Sequence, residues 1–101
     1  MDALKTAMAG TLDSCDIQVR IEQTIDSEHA IYLKSVVEQQ FGEHILGLIE
    51  GVLKKHGLNG VIVQAVDRGA LDCTMIARVE SAVMRFKGLD VFTDWEVIHH
   101  G

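Results

Sequence analysis

Residues 9–22 read AGTLDSCDIQVRIE, and the pattern changes character within this stretch. From Ile17 onward apolar and polar residues alternate, which indicates a strand with one buried face. Small and apolar residues precede the change. Residues 13–16, Asp-Ser-Cys-Asp, include types whose side chains bond their own backbone in turns. The sequence therefore predicts a β-hairpin with Ser14 exposed at its tip.

Four further patterns complete the predicted fold. Alternation returns at Ala30–Leu33, and a β-branched run fills Val61–Val66, which predicts two more strands. Apolar residues recurring every three or four positions predict helices over about 35–56 and 70–87. The order is β-β-β-α-β-α. The predicted fold class is α+β, a two-layer sandwich with a mostly antiparallel sheet and two helices on one face.

The apolar stripes of the two predicted helices define the expected core. The first stripe includes Phe41 and Leu48. The second begins at Leu71 and continues through Val79 and Val83. We expect Phe41, Leu48, Val79 and Val83 to be largely inaccessible, and truncation of Phe41 to cost about 3 to 5 kcal/mol.

The first predicted helix carries signals at both ends. Ser35 followed by Glu38 is spaced like a capping box, and Gly57 follows a basic last turn, as is typical of a helix end. Gly42, Gly47 and Gly51 each cost up to about 1 kcal/mol against alanine in a helix interior. Either the helix is irregular or something packs closely against these glycines.

Composition excludes several function classes. The net charge of −6 opposes binding to nucleic acid or to an anionic membrane. No apolar run approaches the roughly 20 residues of a membrane span, and the N-terminus lacks a signal-peptide layout, so we expect a cytoplasmic protein. Cys15 and Cys73 lack the spacing of a metal or disulfide motif, which fits free thiols in a reducing compartment.

Three stretches resemble the acyl carrier subunit (gamma chain) family of citrate lyase. They are residues 9–14 with Asp16, residues 35–42 (SVVEQQFG), and residues 67–73 (DRGALDC) followed by Ala77-Arg78. They lie in the same order and at similar spacing as in that family. The resemblance implies that Ser14 carries 2'-(5''-phosphoribosyl)-3'-dephospho-CoA through a phosphodiester, and that the thiol of this arm holds an acetyl or citryl unit.

The resemblance also implies a carrier that catalyses nothing alone. Its expected partners are the transferase (alpha) and lyase (beta) subunits of citrate lyase, together with the transferase that attaches the prosthetic group. A second hypothesis is the related carrier subunit of malonate decarboxylase, although residues 68–73 favour citrate lyase. A third is an interaction module in which Ser14 is unmodified and the tail containing Trp95 does the binding.

Two expectations concern the arm itself. Asp13 and Asp16 flank Ser14, so like charge should hold the arm's phosphates away from the carrier surface over about 8 Å. Arg68 lies where a strand gives way to a helix, a place that favours anions, and is a candidate phosphate contact. The alternative is that Asp67 caps the helix and Gly69 allows the turn.

Other candidate sites are weak in this sequence. The five histidines include no His-x-x-x-His pair, so we predict no metal site. The neighbours of Ser14 are carboxylates, unlike a Gly-x-Ser-x-Gly nucleophile motif. We expect a carrier domain over residues 1–88 and an apolar, acidic tail over 89–101. Trp95 in this tail either docks on its own domain or anchors another subunit.

Overall fold

The computed structural model describes residues 5–25 and 28–88, and their elements follow the predicted order. The strands are β1 (Thr6–Ala9), β2 (Ile17–Gln23), β3 (Ala30–Ser35) and β4 (Val61–Asp67), and the helices are α1 (Glu38–Lys55) and α2 (Asp72–Phe86). The predicted α+β class and β-β-β-α-β-α order are confirmed.

The strands form one sheet in the order β1-β2-β4-β3. The pairs β1/β2 and β2/β4 are antiparallel, and β3/β4 is parallel. Because a parallel pair needs a crossover, α1 connects β3 to β4. Asp67 at the end of β4 pairs with both Ile17 and Ser35. The segments at 10–16, 36–37 and 68–71 therefore meet at one end of the sheet.

One face of the sheet forms the core with both helices. On β2 and β4 every second residue is buried, and the intervening residues are partly or fully exposed. Helix α2 contributes Val79 and Val83, which are buried as predicted, and α1 contributes Ile45, Ile49 and Leu53. Each such side chain stabilises the fold by about 1.5 to 3 kcal/mol when fully buried.

Helix α1 begins three residues later than predicted because Ser35 belongs to β3. The Ser35 Oγ accepts the Val37 N–H at 3.1 Å and donates to Asp67 Oδ2 at 2.7 Å. Only half of the predicted capping box forms: the Ser35 N–H donates to Glu38 Oε1 at 3.3 Å. Pairing within the sheet thus prevents Ser35 from capping the helix.

The predicted burial of Phe41 is wrong. Its side chain is 52% exposed, because Gly42, one position on, faces the core. Leu48 is only partly buried against the core. The first residue of the second predicted stripe, Leu71, is 71% exposed because it precedes the first turn of α2. The core-facing stripes are therefore narrower at their N-terminal ends than the sequence pattern indicates.

Among the three glycines of α1, only Gly42 is buried, and a Cβ there would lie 3.4 Å from the Glu38 Cγ. The helix is continuous over its 18 residues. Gly47 and Gly51 are exposed, and a Cβ at either position would meet nothing within 4 Å. The predicted end is confirmed: Gly57 has φ +65°, and the Leu58 N–H donates to Leu53 O at 2.9 Å, as in a Schellman motif.

Two further predictions concern membrane insertion and the C-terminal tail. Neither described helix combines the length and the apolar character needed to cross a bilayer. The tail over 89–101, with Trp95, lies outside the described residues, so its separation from a 1–88 domain stays a prediction.

Candidate functional site

Ser14 lies in the connection between β1 and β2, residues 10–16, which we call the serine loop. The loop is longer than the four predicted residues because β1 ends at Ala9. Gly10 follows with φ +87°, and a Cβ at this position would lie 1.8 Å from the Ile17 carbonyl oxygen. Only glycine fits there, so the chain turns out of the sheet at Gly10.

The tip of the serine loop is a β-turn over Asp13–Asp16. The Asp16 N–H donates to the Asp13 carbonyl at 3.2 Å, with Ser14 and Cys15 at the central positions. Cys15 has φ +63°, the sign that a type II turn needs at its third residue. Ser14 is exposed, as predicted, and its hydroxyl makes no hydrogen bond within 5–25 and 28–88.

Asp16 fixes the base of the serine loop. It is only 8% exposed. Its Oδ2 accepts the Thr11 N–H at 3.1 Å and the Thr11 hydroxyl at 2.7 Å, and its Oδ1 accepts the Ile17 N–H at 2.8 Å. The Arg78 guanidinium completes this set, with Nε at 3.0 Å from Oδ1 and a terminal nitrogen at 3.1 Å from Oδ2.

These contacts determine the charge around Ser14. Hydrogen bonds from Arg78 and then from Thr11 hold the pKa of Asp16 well below its ordinary value. The Asp16 carboxylate is ionised, but its charge is paired with a guanidinium. The expectation that two carboxylates repel the arm is therefore corrected: of the two, only Asp13 is exposed.

Arg68 lies directly beside the serine loop. Its carbonyl accepts the Cys15 N–H at 2.8 Å, and its own N–H donates to the Asp16 carbonyl at 2.9 Å. One terminal nitrogen of its guanidinium donates to the Leu12 carbonyl at 3.2 Å. The backbone of Arg68 thus supports the turn, while its exposed guanidinium keeps further donors that are unused among the described residues.

Asp67 and Gly69 have a related role, although Asp67 does not cap α2. The N-cap residue of that helix is Leu71, without a side-chain cap. Asp67 Oδ1 instead accepts the N–H groups of Gly69 at 3.2 Å and Ala70 at 2.9 Å. Gly69 has φ +95°, which supports the predicted turn. The Asp67 carboxylate, 1% exposed, therefore joins β4, β3 and the segment leading to α2.

Sequence reasoning missed the roles of Thr11 and Arg78. Arg78 follows 62 positions after its partner Asp16, and no spacing rule connects them. Two separate signals were available in the sequence. Arg78 stands next to Val79 in the buried stripe of α2, and Asp16 directly precedes strand β2.

The described histidines pair singly with acids, for example His44 with Asp72 at 2.7 Å. No metal-binding group of three occurs among 5–25 and 28–88.

The chain is similar to known carriers over nearly its whole length. Residues 4–86 match the sequence model of an acyl carrier family described as "Malonate decarboxylase delta subunit (MdcD)". A citrate lyase acyl carrier protein of Streptococcus uberis is 50% identical over 98 residues, covering 97% of this chain and 95% of that protein. One from Clostridium perfringens is 41% identical over 95 residues, with 94% and 93% covered.

A solved structure is similar in fold. It is a chain of a Pseudomonas malonate decarboxylase hetero-tetramer in complex with malonate, with a TM-score of 0.65, 16% identity, and 81% of this chain and 84% of that chain covered. At this identity the likeness concerns the fold alone. Identities of 41 to 50% over more than nine-tenths of the sequence decide the closer relationship: the chain belongs to the citrate lyase acyl carrier protein family.

Proposed function

We propose that this protein is the acyl carrier subunit of citrate lyase, with 2'-(5''-phosphoribosyl)-3'-dephospho-CoA joined to the Ser14 Oγ through a phosphodiester. When attached, this group supplies a thiol that carries the acyl unit as a thioester. The chain itself provides the attachment point and the surface around it. The catalytic steps belong to the transferase and lyase subunits, and attachment belongs to a prosthetic-group transferase.

The observation that carries the proposal is the position of Ser14. Its hydroxyl is exposed at the second position of the β-turn, and Asp16 and Arg68 hold that turn without using it. Another protein's active site has access to such a hydroxyl. The residues also fit the phosphodiester, because Asp16 is paired with Arg78 and the Arg68 guanidinium lies beside the same loop.

A tethered arm suits the chemistry of two partner enzymes. An acyl unit held on a flexible arm stays at high effective concentration near both active sites instead of diffusing away. The proposal places this exchange in the cytoplasm. The two free cysteines, Cys15 and Cys73, are exposed, which supports a reducing compartment.

The malonate decarboxylase carrier is the second candidate. The family model that matches residues 4–86 bears that enzyme's description, and a chain of a malonate decarboxylase hetero-tetramer shares the fold. The higher full-length identities favour citrate lyase. Reconstitution with the catalytic subunits of each enzyme separates the two candidates, since acyl transfer should occur only with the citrate lyase subunits.

The attachment site is tested by intact mass after incubation with the prosthetic-group transferase and its substrate. Wild type and Cys15→Ser should each gain one prosthetic group, because the phosphodiester forms on a serine oxygen. Ser14→Ala should gain none. It should still fold, since it loses at most one local hydrogen bond, worth about 0.5 to 1.5 kcal/mol.

The control variant Cys15→Ser keeps Ser14 and removes the nearest rival nucleophile. A full mass gain on Ser14→Ala would reject Ser14 as the attachment site. A wild-type protein isolated from its native host with only the unmodified mass would favour the interaction module instead.

A further inference from the structure

The open face of the sheet, away from the helices, carries a groove beside the serine loop. Its floor is the last row of side chains before that loop, in which Gln18 of β2 pairs with Val66 of β4, and Val66 with Lys34 of β3. Arg68, Leu12 and Val36 also line it. We call this the Lys34–Arg68 groove; its volume is about 530 Å³.

The exposed charge of the groove is positive, in a chain of net charge −6. Lys34 and Arg68 are both exposed, and neither forms an ion pair with any residue in 5–25 or 28–88. The carboxylate in the wall, Asp67, is buried and accepts hydrogen bonds from Ser35 Oγ and two backbone N–H groups. The groove therefore presents two cations to an incoming anion.

The rest of the groove is apolar. Leu12 is 49% exposed and Val36 65% exposed, and Val66 is partly buried. Apolar surface beside a few placed charges is typical of small-molecule sites, whose volumes are about 300 to 1,000 Å³. A purine base with adjacent phosphates has this combination of chemical properties.

The groove is also continuous with the attachment point. The backbone of Arg68, in its wall, bonds to Cys15 and Asp16, the two residues that follow Ser14. In the proposed prosthetic group the ribose and adenosine lie next to the phosphodiester, and the thiol lies at the far end. The first part of an arm leaving Ser14 is therefore the nucleotide part, beside the groove.

We propose that the Lys34–Arg68 groove binds the adenosine diphosphate portion of the Ser14-linked arm. Lys34 and Arg68 contact its phosphates, and Leu12, Val36 and Val66 contact the base. This inference rests on the proposed function. Its consequence is that the nucleotide half is held on the carrier, while the pantetheine half remains free to carry the thiol to a partner's active site.

The test compares the ¹H–¹⁵N and methyl spectra of the apo and loaded full chain, after intact mass has established one arm on Ser14. We expect shifts at the amides of Lys34, Val36 and Arg68, and nuclear Overhauser contacts from the adenine protons to the methyl groups of Leu12, Val36 and Val66. Raising the salt concentration should reduce these shifts, because the phosphate contacts are exposed.

Variants identify the groove's residues. In samples that intact mass shows to carry one arm, Lys34→Gln and Arg68→Gln should each weaken the adenine contacts, and the double variant should lose them. Lys54→Gln removes an exposed lysine near the end of α1 and should leave them unchanged. Spectra of the apo variants establish that each keeps its fold.

Each failure has a separate reading. If mass shows one arm on Ser14 but shifts are confined to residues 13–15, the arm is free, and the groove proposal is wrong while the proposed function stands. If Lys54→Gln removes the adenine contacts as completely as the double variant, the groove assignment is also wrong. If Ser14 gains no mass, the proposed function fails and the groove proposal fails with it.

Discussion

Asp16 is the residue through which the serine loop is bound to the rest of the molecule. It receives hydrogen bonds from its own loop at Thr11, from the start of β2 at Ile17, and from α2 at Arg78. A carboxylate with this many donors is stabilised in its ionised form. The exposure of Ser14 therefore depends on a neighbour two positions away that is itself buried.

The stability of the fold should depend on pH through Asp16. Its pKa in the folded chain is below the ordinary value of 3.8, so its contribution is present above about pH 4 and is lost as the pH falls below that value. Asp16→Asn should flatten the acid limb of a plot of unfolding free energy against pH. Urea titrations from pH 2 to pH 7 measure this.

Glu80 provides an independent comparison. Hydrogen bonds from Lys55 and then from His56 lower its pKa. Glu80→Gln should therefore also flatten the acid limb, and its effect should add to that of Asp16→Asn.

If Asp16→Asn leaves the acid limb unchanged, the ion pair with Arg78 does not stabilise the ionised Asp16 carboxylate.

Helix α1 connects the core to the end of the sheet that holds the serine loop. Its buried positions, Gly42, Ile45, Ile49, Val52 and Leu53, form the face toward the core. Its first turn lies at the end of the sheet that holds the serine loop. Phe41 and Val36 are exposed there. The middle of the helix thus packs in the core, whereas its first turn is part of the protein surface.

Replacing Phe41 with alanine should cost about 1 kcal/mol or less, because the ring is already half exposed. Ile45→Ala, one turn later and 1% exposed, should cost about 2 to 5 kcal/mol. Chemical denaturation of both variants under identical conditions provides the comparison. A larger loss for Phe41→Ala than for Ile45→Ala would mean that the assigned face of α1 is wrong.

Gly51→Ala should stabilise the protein by about 0.5 to 1 kcal/mol, because a Cβ there meets open space and alanine restricts the unfolded chain. The matched control is Gly10→Ala, whose Cβ would collide with the Ile17 carbonyl oxygen, and it should destabilise. Thermal denaturation compares both with wild type. A lower melting temperature for Gly51→Ala would contradict an open helix surface.

Strands and helices whose apolar residues follow one clear period could be predicted from the sequence. The boundary between β3 and α1 at Ser35 could not. Strand β2 follows strict alternation, and its predicted start at Ile17 is confirmed. Ser35 carries a helix-start signal but pairs with Asp67 in the sheet, so a tertiary contact overrides the local one. The same holds for the site: local pattern places Ser14 in an exposed turn, whereas the distant Arg78 has no local signature.

Two arginines of α2 connect this helix to the first hairpin. Arg78 binds Asp16 at the base of the serine loop, and Arg85 donates to the Met8 carbonyl in β1 at 2.7 Å. The loop that presents Ser14 therefore depends on a helix residue, Arg78, that lies 62 positions after Asp16 in the chain. Loading of Ser14 and folding of the core should be coupled through Arg78.

Arg78→Met tests this coupling. It keeps an unbranched side chain on α2 but leaves the buried Asp16 carboxylate without its guanidinium, which should cost about 1 to 3 kcal/mol. Asp16→Asn in the same background should restore part of that loss, because no buried charge then remains unpaired. A double-mutant cycle on the unfolding free energy measures the interaction. Arg78→Met should also slow prosthetic-group loading under conditions where the core remains folded, since the turn that presents Ser14 has lost its anchor. Additive single effects together with wild-type loading would show that the serine loop keeps its shape without α2.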